Sequence, residues 1–208
     1  MDFNAPKRRI CLSRRQAGEG VGVLVKVMVN LTFDTSCIMS LLGKDNTPED
    51  EFKALTKLVN LAKSDKVHIW VSWKSDWETA ENIENEDNEN RKSIWEETQT
   101  ILNKLPHNTG LFILGVSSLG VDTTFGSDAD ADFVEDIKKL AYPNKGSSKI
   151  GRGHIFDTAI LADHRMQGND IFVTRDKKFL KASFTSHLKD KWDILIVDPC
   201  TAVEMLSE

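Results

Sequence analysis

The chain has 208 residues, 40% of them hydrophobic and 28% charged, enough for one globular core and not for two. Its three cysteines, Cys11, Cys37 and Cys200, show no CxxC spacing and form no even set, which argues against a disulfide framework or a cysteine zinc site and fits a reducing compartment. The net charge of −5 is uneven: Asp76 to Glu97 holds nine acids, whereas Lys138 to Lys191 holds twelve Lys or Arg against five acids. Two of those five are Asp157 and Asp176. Carboxylates inside a basic half suit a site for a polyanion plus a cation, although an ordinary solvated face gives the same counts.

Residues 1–22, with Lys7, Arg8, Arg9, Arg14 and Arg15, lack hydrophobic periodicity and read as a basic extension ahead of a single domain over residues 23–208. It is either an arm that contacts nucleic acid or a segment dispensable to the fold. Ser13-Arg14-Arg15 is similar to a twin-arginine export signal, but Lys26 and Asn30 interrupt the apolar run behind it and no small-residue cleavage site follows. No stretch reaches the ~18 apolar residues of a membrane span. The expectation is a cytoplasmic protein with no membrane partner.

Val23 to Phe33 is rich in valine and reads as a central strand buried on both faces, ending at Asp34-Thr35-Ser36. Cys37-Ile38-Met39 with Leu41-Leu42 gives a short helix broken at Gly43, which Asp34 or Ser36 suits as a cap. Thr47-Pro48-Glu49-Asp50 opens the next helix, whose core face is Phe52, Leu55, Leu58, Val59, Leu61 and Ala62. Val67 to Ser72 is the second strand. The helix after it carries Asp76 and Glu78, which lie about 200° apart and so do not face one site together. Residues 81–97 are a Glu/Asn run, Leu111 to Val116 is a candidate third strand, and Leu119 to Ser127 reads as a loop. Asp128, Asp130 and Asp132 invite a calcium reading, but Phe133 and Lys139 stand where a calcium loop needs Gly and Glu; the acids instead start a helix over Phe133 to Leu140. Tyr142 to Gly153 reads as a linker whose Lys145, Lys149 and Arg152 could contact phosphates.

From Asp157, the spacing of Ile160, Leu161 and Met166 predicts a helix with Asp157 in its first turn, ended by Gly168-Asn169-Asp170. Ile171 to Thr174 is a short apolar strand closing on Arg175-Asp176. Phe179, Leu180, Phe184 and Leu188 give another helix, Trp192 to Val197 a last strand, and Ala202 to Leu206 a terminal helix behind Asp198-Pro199. Strands alternating with helices predict a three-layer α/β/α fold with a mainly parallel central sheet. In such a sheet, helix starts and strand carboxyl ends share one edge, so Asp34, Glu78, Asp157 and Asp176 have one expected location. Crowded carboxylates resist ionisation unless a cation joins them, and Mg2+ or Mn2+ suits carboxylate and water ligation while also binding phosphate oxygens.

At these residues the chain resembles a family. Phe33-Asp34-Thr35-Ser36 behind an apolar strand resembles the opening motif of PIN-domain nucleases. Asp157-Thr-Ala-Ile-Leu-Ala-Asp-His, followed by Val173-Thr174-Arg175-Asp176-Lys177-Lys178-Phe179, resembles the closing one. Glu78, six residues after Ser72, falls where that family carries a helix-borne Glu. The resemblance covers Lys26 to Ser72 and Gly153 to Val197, while residues 82–152 make a longer middle than compact VapC-type members have. It implies a metal-dependent endonuclease acting on RNA, less often on single-stranded DNA, in which Asp34, Asp157, Asp176 and Glu78 hold Mg2+ or Mn2+ and water is activated. Ser36 and Thr174 would orient those ligands, and Lys149, Arg152, Arg175, Lys177 and Lys178 would meet the nucleic acid. No histidine base is required, so His154 and His164 are expected to pack or cap. A toxin or defence role, a neutralising protein partner and a homodimer are compatible with the resemblance.

A different class stays open: a binding module that kept the PIN-like fold and lost activity. An adhesion-type metal site at Asp34 is poor because Ile38 occupies a position that needs Ser, and an Asp-x-Asp phosphatase is excluded by Ser36.

Overall fold

A computed structural model describes residues 28–43, 46–72, 75, 107–108, 110–112, 123–125, 128–143 and 152–207. In chain order the strands are β1 (Val29–Phe33), β2 (Val67–Ser72), β3 (His107–Asn108), β4 (Gly110–Phe112), β5 (Thr123–Phe125), β6 (Ile171–Val173) and β7 (Leu195–Val197). The helices are α1 (Thr35–Leu41), α2 (Glu49–Lys63), α3 (Asp128–Ala141), α4 (Arg152–Gln167), α5 (Ala182–Trp192) and α6 (Pro199–Leu206). Five strands lie side by side in the order β3-β2-β1-β6-β7, every neighbouring pair parallel. Leu31 at the centre is level with Ile69 on one side and Ile171 on the other.

The alternation of side chains along the strands divides the core into two layers. Leu31 and Phe33 of β1, with Ile171 and Val173 of β6, pack against Cys37 of α1, Leu55 and Leu58 of α2 and Ala202 of α6. Phe172 and Ile196 point to the opposite face and meet Phe133 and Ile137 of α3, Ile160 and Leu161 of α4, and Phe184 and Leu188 of α5. The predicted three-layer α/β/α arrangement is therefore the observed one. A fully buried polar pair joins β1 to α4, the Thr32 hydroxyl lying 2.9 Å from His164 Nδ1, and Thr32 also accepts from the amide of Asn169, just past α4, at 2.8 Å. His164 is packed, as expected, with its ring edge-on to Phe172 at 5.4 Å.

Local sequence explains most ends. Glu49, Asp50 and Glu51 in the first turn of α2 and Lys63 in its last complement the helix dipole. Asp198 caps α6 by accepting from the Thr201 N–H at 3.0 Å, with Pro199 behind it. Gly168, at φ 63°, takes the left-handed turn that releases the chain from α4 into β6.

Five expectations change. The third strand of the main sheet is β3, not Leu111 to Val116; of that run, Leu111 and Phe112 belong to β4, which pairs with β5 in a separate two-stranded parallel sheet. β5 itself falls inside the stretch read as a loop, because three residues are too few for a periodic signal. Helix α3 starts at Asp128, five residues before Phe133, its early acids being favourable at a helix start. Helix α4 starts at Arg152, which puts Asp157 in its second turn rather than its first; Gly153 is accommodated in a first turn that needs no helical N–H partner. Trp192 ends α5, so the last strand is only Leu195 to Val197. Residues 1–22, Asp76, Glu78, Lys145 and Lys149 lie outside the described residues.

Two measurements test this packing. Phe179, fully buried and edge-on to Phe172 at 6.5 Å, anchors the turn after β6. Phe179→Ala is expected to cost about 3–5 kcal/mol in urea unfolding. Burial lowers the His164 pKa from 6.5 to about 3. The unfolded chain therefore takes up a proton that the folded chain refuses, so this contribution to stability is complete above pH 6.5 and lost as pH falls toward 3. In His164→Gln, the slope of unfolding free energy against pH in that window is expected to flatten by up to about 1.4 kcal/mol per pH unit.

Candidate functional site

The connection leaving β1 runs through α1 and α2 on one face of the sheet, and the connection leaving β6 runs through α5 on the other. β1 and β6 are neighbours, so their carboxyl ends open a crevice where the strand order reverses, the place where open α/β sheets bind ligands. Asp34 stands in it. Its N–H donates to the Val173 carbonyl at 3.0 Å, extending the β1/β6 pairing by one bond and fixing the residue at the head of α1.

The Asp34 side chain is 4% exposed and is held by two hydroxyls. Ser36 Oγ and Thr174 Oγ1 each donate to Oδ2 at 2.7 Å. Both hydroxyls are themselves oriented from behind, Ser36 by the Arg175 N–H at 3.1 Å and Thr174 by the Asp176 N–H at 3.0 Å. Since a hydroxyl that accepts from an amide keeps its one proton to donate, the two relays aim at the carboxylate. Burial pushes the Asp34 pKa up; the two hydroxyl bonds pull it down, and the charges of Asp157 and Asp176 push it up again. The last effect places three acids from β1, α4 and the β6 loop within electrostatic reach of one another. Oδ1 of Asp34 has no hydrogen-bond donor among the described residues.

Asp157 and Asp176 meet through a cation. Lys178 Nζ lies 3.0 Å from Asp157 Oδ2 and 3.0 Å from Asp176 Oδ2, and 3.2 Å from the Tyr142 hydroxyl. The backbone N–H of Lys178 donates to Asp176 Oδ1 at 2.8 Å, so a tight turn locks that carboxylate to the residue that neutralises it. Burial opposes the Lys178 charge, but the Asp157 carboxylate and the bonds to Asp157, Asp176 and Tyr142 outweigh it and hold the ammonium above the usual lysine range. Tyr142 also donates to Asp157 Oδ2 at 2.8 Å, and its ring stacks on His154 at 4.2 Å. Burial and the Asp157 charge hold its phenol protonated, so it can serve as a donor.

The expected site residues thus separate. Asp34, Asp157 and Asp176 converge, and Ser36 and Thr174 support Asp34. Among the basic residues, Lys177 is exposed, Lys178 is turned onto the acids, and Arg175 is only 14% exposed, its Nε donating to Glu51 Oε2 at 2.6 Å and its guanidinium also reaching the Ser40 hydroxyl. Arg175 ties the β6 loop to α1 and α2. Arg152 opens α4.

Sequence reading missed Tyr142, the single tyrosine of the chain, set in a segment taken for linker. An apolar ring with a polar tip among Gly, Ser and Lys was the available signal. It also missed Asp163, a fully buried acid on α4 that accepts a short hydrogen bond from Ser72 at the end of β2.

The donor set suits a hard divalent cation: three carboxylates with hydroxyl support, one of them buried at a cost to its ionised form. Among the described residues, however, no group of three His, Cys, Asp or Glu side chains is arranged so as to hold a metal ion. The Lys178 ammonium already occupies the space between two of the three acids. No helix among the described residues is long and apolar enough to cross a membrane.

Thr174→Val tests the support of Asp34. Losing that hydroxyl raises the folded-state pKa of Asp34 further, so the loss of stability is small at low pH, where the group is protonated in both proteins, and grows as pH rises through its folded-state pKa. A deficit of about 1–3 kcal/mol at neutral pH is expected in urea unfolding, with Thr174→Ser close to wild type.

No family model matches the sequence, and no curated protein matches it. Solved structures that it resembles include "DNA bound VapBC from Salmonella typhimurium", with TM-score 0.48 and 16% identity over 83% of this chain and 100% of that one. "VapBC2 from Rickettsia felis bound to a DNA fragment from their promoter" has TM-score 0.48 and 13% identity, over 82% and 98%. "FitAcB from Neisseria gonorrhoeae" has TM-score 0.45 and 15% identity, over 81% and 97%. These are likenesses at low sequence identity.

Proposed function

We propose that the chain is a PIN-like, metal-dependent endonuclease that hydrolyses phosphodiester bonds in RNA. The observation that carries this reading is Asp34: a carboxylate buried at the β1/β6 crevice, pressed by the charges of Asp157 and Asp176, with one oxygen undonated among the described residues. Ionised acids in that position call for a positive ligand.

Asp34, Asp157 and Asp176 would hold Mg2+ or Mn2+, with Glu78 as a fourth ligand. When bound, such an ion supplies positive charge that favours ionisation of water and offsets charge on the phosphate. The chain's own residues do the rest. Ser36 and Thr174 keep Asp34 turned toward the crevice, Tyr142 holds Asp157 by a neutral donor, and the turn at Lys178 holds Asp176. Exposed Lys177, with Lys149 and Arg152, would draw the phosphate backbone to this edge. A neutralising protein partner that covers this crevice is compatible with the same reading.

One observation favours a second reading, a binding module without activity: among the described residues no side-chain set stands ready for a metal. A single experiment separates the two. Purified protein is mixed with RNA or single-stranded DNA and Mn2+ or Mg2+, beside Asp34→Asn and Asp176→Asn. Cleavage of RNA by wild type, falling by roughly 100-fold or more in both variants and abolished by chelation, is the expected outcome; losses of 10- to 100-fold are what outer partners of a metal give. Equal residual cleavage by all three proteins leaves only the binding-module reading.

A further inference from the structure

We infer that Lys178 is a resident counter-cation that competes with the divalent ion for Asp157 and Asp176, so that loading of the site is an exchange of cations rather than the filling of a vacant cage. This rests on the nuclease reading above. An ammonium has three protons to donate and no acceptor. The three oxygens around Nζ, from Asp157, Asp176 and Tyr142, lie at 3.0, 3.0 and 3.2 Å, so the donor capacity of the side chain is matched by the acceptors that face it. Its Nζ lies over the Tyr142 and Phe179 rings, 4.9 and 5.3 Å from their centroids, which adds cation–π attraction to the pairing.

A divalent ion needs oxygen lone pairs from the same two carboxylates. The Asp157 oxygen that Lys178 contacts is also the one that Tyr142 donates to, so a metal arriving there displaces the ammonium from it. The Lys178 side chain is 31% exposed, which leaves a path by which the ammonium can swing to solvent. Asp34 is different. None of its hydrogen bonds among the described residues comes from a charged donor, so no resident cation has to leave it.

The test uses the full chain, metal-stripped, with Mn2+ as the probe. Calorimetric titration of wild type, Lys178→Met and Lys178→Gln gives the Mn2+ affinity directly, without reference to activity. Both variants are expected to bind Mn2+ more tightly, by roughly tenfold, the order that two partly exposed ion pairs can supply. Thermal unfolding gives a second readout: in chelator the variants melt below wild type, because two carboxylates have lost their cation, and saturating Mn2+ closes that gap. A merely structural lysine would leave the gap the same in both conditions. Equal or weaker Mn2+ binding by the folded variants, with binding still lost in Asp34→Asn, overturns the exchange and leaves the nuclease reading standing. Absence of saturable binding in wild type and variants alike overturns both.

Discussion

The arrangement depends on one buried carboxylate. Asp34 lies where β1 and β6 part toward opposite faces, and its charged form is disfavoured by the same burial that lets the two strands pair one residue further. Thr174 and Ser36 offset part of that cost with charge-assisted hydrogen bonds, and each is aimed by a backbone amide of the β6 loop. The loop after β6 therefore has two tasks. It supplies Asp176 to the edge and supplies the donors that keep Asp34 ionisable there. A site so built holds electrostatic strain that only a positive charge relieves.

That positive charge is internal in this structure. Lys178 neutralises Asp157 and Asp176 with the help of the protonated Tyr142 phenol, while Arg175, one residue before Asp176, turns the other way and closes on Glu51. Adjacent basic residues thus divide the work: one clamps the loop to α1 and α2, the next stays in solvent, and the third balances the acids. A run that looks uniformly basic in sequence has three distinct physical roles, because successive residues of a turn point in different directions. Net charge in this segment predicts attraction for a polyanion, but not which of its lysines is free to meet one.

On the α4 side of the sheet, buried polar groups are matched to hydrogen-bond partners. His164 is kept neutral between Thr32 and Phe172, Asp163 is joined to Ser72, and the Asn169 amide completes Thr32. Each ties the long helix to the sheet by a bond that works at only one register, so Asp157, two turns upstream of His164 on the same helix, is delivered to the crevice at a defined height. Cys37 belongs to the same logic on the other face, with burial pushing its thiol up so that it remains a small, protonated core residue bonded to the Val173 carbonyl.

Hydrophobic periodicity, turn residues and strand-end acids were enough, on the chain alone, to determine the three layers, the parallel sheet, the strand ends at Asp34 and Asp176 and the convergence of both with Asp157. Those are consequences of local pattern: short apolar runs bounded by turn residues favour buried strands, and their alternation with helices favours parallel pairing. Short elements without a compact apolar run escaped, as β3 and β5 show, whereas β6 and β7, equally short, are marked by Ile-Phe-Val and Leu-Ile-Val. What only the tertiary structure decided is who neutralises whom: that Lys178 faces inward onto two acids, that Arg175 faces Glu51, and that Tyr142 is a donor to Asp157. Charge pairing depends on side-chain direction and on distances of about 3 Å between residues up to 124 positions apart, and a linear sequence contains neither.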